Sequence, residues 1–130
     1  WFEAFNSHNL EDLLYLYDES ATHFSPKLKI RKPETNGLIK GKSELRNWWK
    51  DAFDRLPTLY YKATSLTSNK NRVFMEYIRQ VEDEEDMLVA EVLEIENGKI
   101  VEVKKTIVSK HKMARICTRL YDYRNTGITH

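Results

Sequence analysis

The sequence predicts an α+β fold in which helices near the N-terminus cover one face of a curved antiparallel sheet. Three observations carry this expectation. Helix-spaced apolar residues dominate up to residue 56, strand-like runs dominate from about residue 58 to 108, and those runs are joined by short polar turns suited to sequential hairpins.

The elements follow in order. WFEAF has an amphipathic pattern and reads as the end of a helix that starts upstream of Trp1, closed by NSHN. In NLEDLLYLYDE, Asn9 is placed to cap a second helix, with Asp12 three residues on and Leu10, Leu13, Leu14 and Tyr17 at helical spacing. ATHFS is partly β-branched and aromatic and is stopped by Pro26, so it reads as a short strand. The stretch from Pro26 to Gly41, punctuated by Pro33 and Gly37, reads as an irregular loop. Leu45, Trp48, Trp49, Ala52, Phe53 and Leu56 then recur at helical spacing and predict one helix over 42–56, ended by Pro57. The runs TLYYKATSLT, RVFMEYIRQV, MLVAEVLEI and KIVEVKKTIV follow as strands, connected by SNKN, EDEED and NG. The last segment, KHKMARICTRLYDYR, places Met113, Ile116, Cys117, Leu120 and Tyr121 at helical spacing, although 115–121 also fits a strand.

The totals narrow the function classes. A chain of 130 residues fits a single domain, 1–130, with one core. Twenty-one Lys and Arg stand against 20 Asp and Glu, so no global field favours nucleic acid or an anionic membrane as partner. No run approaches the roughly 18 apolar residues of a membrane span, and no leader pattern opens the chain. The expected setting is the cytoplasm. Cys117 is the only cysteine, which excludes an internal disulfide. His8, His23, His111 and His130 lack paired ligand spacing, and EDEED lacks the spacing of a calcium loop, so neither a metal nor a cofactor is expected.

FNSHNLEDLLYLYDESATHFSP, GKSELRNWW and LEIENGKIVEV, taken in that order, resemble the SnoaL-like and ketosteroid-isomerase-like proteins of the nuclear transport factor 2-like superfamily. The resemblance spans about residues 1–108 and leaves 109–130 as a C-terminal extension. It implies a cone, in which a strongly bent sheet and N-terminal helices enclose one central pocket and the outer sheet face makes dimers. Hosts of that pocket include isomerases, cyclases, lyases and non-catalytic association domains, so fold alone does not name the reaction. In the steroid isomerases a late-strand acid and a first-helix tyrosine stabilise an oxyanion while an aspartate shuttles the proton. The late-strand acid falls on Glu91 here, the tyrosine on Trp1 and the aspartate on Ser25, so one role of three is matched. Serine has no useful basicity at neutral pH, which argues against the same isomerisation by the same mechanism.

The candidate site follows from the strand phase that the resemblance implies. In VAEVLEI, Glu91 shares a face with Val89, Leu93 and Ile95, an acid within an apolar row. Glu91 is the expected acid or oxyanion partner, and His23, one residue before Phe24, the expected base. Ser25, Met75, Tyr77 and Arg79 face the interior with them, while Trp48, Trp49 and Phe53 line the covering helix with Tyr17 behind. A small hydrophobic or aromatic molecule is the expected ligand. The ENGK turn leaves two registers open: a three-residue loop with a glycine bulge returns Lys105 to the face of Glu91, and a two-residue turn returns Lys104. Either ammonium would turn the acid into a structural ion-pair member. Ala90 and Val92 make the other sheet face apolar as well, so a homodimer through that face is expected. The competing reading is an association domain whose cone is filled by its own aromatics.

Overall fold

The computed structural model describes residues 1–109. Two short helices, α1 (Phe2–Asn6) and α2 (Leu10–Tyr15), are followed by β1 (Tyr17–Phe24), α3 (Pro26–Arg31), a 3-10 turn at Pro33–Thr35, β2 (Leu38–Lys40) and the long helix α4 (Lys42–Arg55). Four strands complete the described chain: β3 (Tyr60–Ser68), β4 (Arg72–Gln80), β5 (Met87–Glu96) and β6 (Lys99–Ser109). They form one curved, unclosed sheet in the order β2-β1-β6-β5-β4-β3. The meander from β3 to β6 is antiparallel throughout, as expected, and β1 joins it by pairing parallel to β6.

Helix α4 forms where the apolar spacing required it, and buries Leu45, Trp48, Trp49 and Phe53 along one stripe. At α2 the Asn9 side chain accepts a hydrogen bond from the Asp12 amide at 3.1 Å, a direct N-cap. A third anchor is non-local: the Asn6 side chain accepts from the Tyr61 amide at 2.7 Å and donates to the Tyr61 carbonyl at 2.9 Å. It thereby imitates a neighbouring strand and fixes α1 to the start of β3. Among the described residues no helix is long and apolar enough to cross a membrane.

Two expectations are corrected. Tyr17 belongs to β1 and not to the second helix, because its backbone pairs with Ile100 while the Ile100 amide bonds the Leu16 carbonyl at 2.8 Å. The gain from joining the sheet outweighs one more helical turn. The second correction concerns 26–41, which is not an irregular loop. Pro26 occupies the first turn of α3, where the missing N–H costs nothing, and Leu28 is fully buried beneath it. Residues 38–40 then pair with β1 as an edge strand. The segment 110–124, with its two alternative readings, lies outside the described residues.

The β5–β6 connection resolves the register question in an unexpected way. Asn97 and Gly98 both take positive φ, 51° and 76°, and join Glu96 to Lys99 as a two-residue turn. The register then slips by one between Glu94 and Ile95, so that Glu94 faces Glu102 and Glu91 faces Lys105. A short turn plus a bulge therefore gives the outcome assigned to the longer loop. Lys104 lies opposite Val92, on the other face, with its ammonium 3.3 Å from Glu102.

Candidate functional site

Alternation along β1, β4, β5 and β6 turns His23, Ser25, Met75, Tyr77, Arg79, Glu91 and Lys105 toward the helices, as expected from the strand phase. Glu91 is 1 % exposed. Its carboxylate accepts a hydrogen bond from the Tyr77 hydroxyl. Burial raises the Glu91 carboxyl above its usual pKa, while the Lys105 charge and the Tyr77 hydrogen bond pull it part of the way back. Burial, and then the Glu91 charge, holds the phenols of Tyr77 and Tyr17 well above their usual range, so both stay protonated.

Lys105 forms no ion pair with a carboxylate of the described residues; its half-buried ammonium donates to the Tyr61 hydroxyl at 2.8 Å. Burial lowers its pKa, but the oxygens of Tyr61 and Glu91 outweigh that and the net position is raised. Lys105 therefore remains charged at neutral pH.

His23 is 3 % exposed and packs edge-on against Trp49, with ring centroids 5.9 Å apart. Burial, reinforced by the Lys105 charge, holds its pKa down to about 3. The ring is neutral at physiological pH, and its Nδ1 has no hydrogen-bond partner among the described residues. One pleat further along, Ser25 is 1 % exposed and its hydroxyl is likewise unpartnered. Ser25 is the N-cap of α3, yet its side chain makes no cap hydrogen bond. A serine at that position ordinarily accepts from an amide of the first helical turn.

Much of the interior is filled. Trp1, Phe5, Tyr61 and Tyr77 form a continuous stack with successive ring centroids 5.1, 3.9 and 4.0 Å apart. Trp1 also donates from Nε1 to the Tyr17 hydroxyl at 2.9 Å, and Tyr17 meets Trp49 edge-on at 5.0 Å. Phe53 stacks on His8 at 4.3 Å and meets Phe5 edge-on at 5.2 Å. Among the described residues a cleft of about 180 Å³ stays open between α3, α4 and the strands. Of the expected site residues, Ser25, Trp48, Trp49, Arg79 and Lys105 line it. Tyr17, His23, Phe53, Met75, Tyr77 and Glu91 are buried but stand outside the lining.

Sequence reasoning missed Tyr61, which lines the cleft, accepts from Lys105 and stacks on Tyr77. The signal was present in the adjacent pair Tyr60 and Tyr61, but only the pairing of Tyr61 with Arg79 decides which of them faces inward. Lys27, Arg31 and Arg55 also reach the cleft and were not foreseen. Arg79, expected to face the interior, is buried and paired with Glu84 at 2.9 Å. Among the described residues no group of three or more His, Cys, Asp or Glu is arranged to hold a metal ion. On the opposite sheet face a groove of about 540 Å³ is lined by Phe24, Leu38, Phe74, Ala90 and Val92 among others.

Comparison with known proteins places this geometry in a family. No curated protein matches the chain. Among solved structures, a SnoaL-like protein of unknown function from Burkholderia thailandensis superposes with a TM-score of 0.76 at 21 % identity, covering 84 % of this chain and 88 % of that one. A candidate ketosteroid isomerase from Kribbella flavida gives 0.69 at 16 % identity over 85 % of this chain and 74 % of its own. A candidate polyketide cyclase from Sinorhizobium meliloti gives 0.67 at 11 % identity over 81 % and 88 %. At such identities these structures speak for the fold alone. The SnoaL-like domain family itself matches residues 1–103, from the Trp1 stack to the inward-facing Val103 of β6. With its bent sheet, covering helices and buried late-strand acid, the chain belongs to the SnoaL-like domain family, within the nuclear transport factor 2-like fold.

Proposed function

We propose that this chain binds a small molecule with a hydrophobic or aromatic body in the cleft bounded by Trp48, Trp49, Tyr61, Ser25 and Lys105. The observation that carries the reading is at Ser25: the residue lines the cleft, and its hydroxyl, buried and without a partner among the described residues, forgoes the cap bond open to it at the start of α3. A buried hydroxyl without a partner costs about 1–3 kcal/mol, and a ligand atom that meets it recovers that cost. The chemistry that suits the surrounding groups is cofactor-free proton transfer of the isomerase, cyclase or lyase type. Lys105 and Tyr61 present donors to the cleft, where charge developing on a ligand oxygen would be stabilised. Glu91 and Tyr77 stand behind them, and Glu91 acts through Tyr77 and Lys105 as a positioning group. His23, neutral and packed behind Trp49, lies outside the lining and supports the wall of the cleft. The names of the steroid isomerase and polyketide cyclase structures that share the fold fit this class of chemistry.

A second reading is favoured by the four-ring stack, which fills the deep interior and suits an association or accessory domain with a closed cone. Thermal melts with a library of single-ring aromatic fragments separate the two. Binding at a hundredfold excess over Kd raises stability by about 2.7 kcal/mol. The expected result is saturable stabilisation of the wild type by at least one fragment, lost in Ala52→Phe, which fills the cleft from α4. A library in which no fragment stabilises the wild type overturns the binding reading.

The proposal extends to a homodimer through the outer sheet face, where Phe24, Leu38 and Phe74 are exposed beside Ala90 and Val92. A dimer of ordinary size would bury about 1,600 Å² in total. A single domain over 1–130 and a cytoplasmic setting complete the reading.

A further inference from the structure

The cleft has a pronounced charge imbalance. Among the described residues Lys27, Arg31, Arg55, Arg79 and Lys105 line it, against Glu84 as the one acid. In a chain whose formal net charge is +1, this concentrates positive charge at one small opening. The cations are graded by depth. Arg31 and Arg55 are exposed at the rim, where Asp51 lies 3.9 Å and 2.8 Å from them; Arg79 is buried and neutralised by Glu84 at 2.9 Å. Lys105 is the inner cation without a carboxylate partner among the described residues. An ammonium has three donors, and the Tyr61 hydroxyl uses one of them. Ser25, on the same lining, supplies a further donor with no partner. A cationic donor thus meets a cleft walled by Phe5, Trp48, Trp49, Leu56 and Leu59, and the unpartnered Ser25 hydroxyl is buried at the same lining.

We propose that the cleft selects a small planar carboxylate, its anionic end held by Lys105 and Ser25 and its ring or short hydrocarbon body lying against Trp48 and Trp49. This deepens, and rests on, the small-molecule reading above. At about 180 Å³ the cleft lies below the 300–1,000 Å³ of pockets for drug-sized ligands, which limits the body to about one ring. A neutral molecule of the same shape would leave the Lys105 ammonium half-buried and uncompensated. Glu91, across the strand pair from Lys105, accepts from the Tyr77 hydroxyl and makes no ion pair with that ammonium. Arg31 and Arg55 at the rim draw the anion in, a contribution to the association rate that salt screens.

Calorimetric titration with benzoate and with benzyl alcohol, its neutral counterpart, tests the proposal. The wild type should bind benzoate at least tenfold more tightly than benzyl alcohol. Lys105→Met should reduce that preference to less than threefold, and raising NaCl from 50 to 500 mM should weaken benzoate and leave benzyl alcohol unchanged. Equal affinity for the two molecules in the wild type overturns the anion inference and leaves the binding reading standing. Failure of both molecules to bind overturns the anion inference too, while the fragment library above decides the wider reading independently. The wild-type comparison of two ligands keeps the test valid even where Lys105→Met does not fold.

Discussion

Replacing Ser25 by alanine should leave the fold as stable as the wild type or stabilise it, although Ser25 sits at a helix N-cap. At such positions Ser→Ala ordinarily costs about 0.5–2 kcal/mol, because the side chain satisfies an amide of the first turn. Here that bond is absent, so nothing is lost from the cap. The backbone at Ser25 is extended, φ −148° and ψ 135°, which alanine adopts without strain. The hydroxyl removed is buried and unpartnered, and a polar group in that state costs about 1–3 kcal/mol. Loss of the oxygen's packing offsets part of the gain, and the net expectation is zero to about 2 kcal/mol of stabilisation. For a domain of this size that is a rise in Tm of up to roughly 6–10 °C. Asn9→Ala is the internal control: its side chain makes a real cap bond to Asp12, so the variant should lose about 1 kcal/mol. Calorimetric melts should therefore show a lower Tm for Asn9→Ala and an unchanged or higher Tm for Ser25→Ala. A loss of 1 kcal/mol or more in Ser25→Ala would mean that the hydroxyl is satisfied within the protein, and the central reason for reading the cleft as a binding site would fall.

The buried titratable groups give two further predictions with opposite signs. Glu91 has a folded pKa above its usual 4.5, so its contribution to stability is fully present below the unfolded value and is lost as pH rises through the folded one. Glu91→Gln should thus gain on the wild type between about pH 4.5 and neutrality, measured as the difference in Tm; a growing loss over that range would make Glu91 a structural ion-pair member. His23, held near 3 against an ordinary 6.5, stabilises the fold above 6.5 and loses that contribution as pH falls, by roughly 4–5 kcal/mol across the window. His23→Gln should flatten that acid limb in urea melts from pH 7 to 4, and an unchanged limb would contradict the burial assigned to the ring. Asn6→Ala removes both clamps on Tyr61 and should cost about 1–3 kcal/mol in chemical denaturation; a neutral outcome would show that α1 docks by its aromatic rings alone. Val92→Glu should convert the proposed dimer to a monomer in light scattering at micromolar concentration, and a wild type already monomeric there would refute the dimer.

Much of this architecture was legible because it rests on periodicity. The stripe from Leu45 to Phe53 and the alternation through VAEVLEI are strong local signals, and the hairpins between them needed only polar turns. Non-local competition decided the rest. Tyr17 fits a helix by spacing but is drawn into the sheet by its pairing with Ile100, and Pro26 both stops a strand and starts a helix. The bulge beside Glu94 determines whether Lys104 or Lys105 meets Glu91, and no feature of ENGK alone fixes it. The inward phase of the interior residues was readable, whereas the boundary between filled core and open cleft was not. That boundary depends on Tyr61 entering the stack between Phe5 and Tyr77, and the α1 that carries Phe5 is distant in sequence from the β3–β4 hairpin. The cationic lining was hidden for the same reason, since its residues come from α3, α4, β4 and β6.

The most direct measurement of the central claim is a ¹⁵N-resolved NMR titration with benzoate, followed through the three tryptophan indoles and the backbone amides. Saturable shifts are expected at the indoles of Trp48 and Trp49 and at the amides of Ser25 and Tyr61, while the Trp1 indole, held by Tyr17, stays in place. Shifts confined to Phe24, Phe74 and Val92 on the outer sheet face would contradict it, and so would saturating benzoate that moves none of the cleft signals.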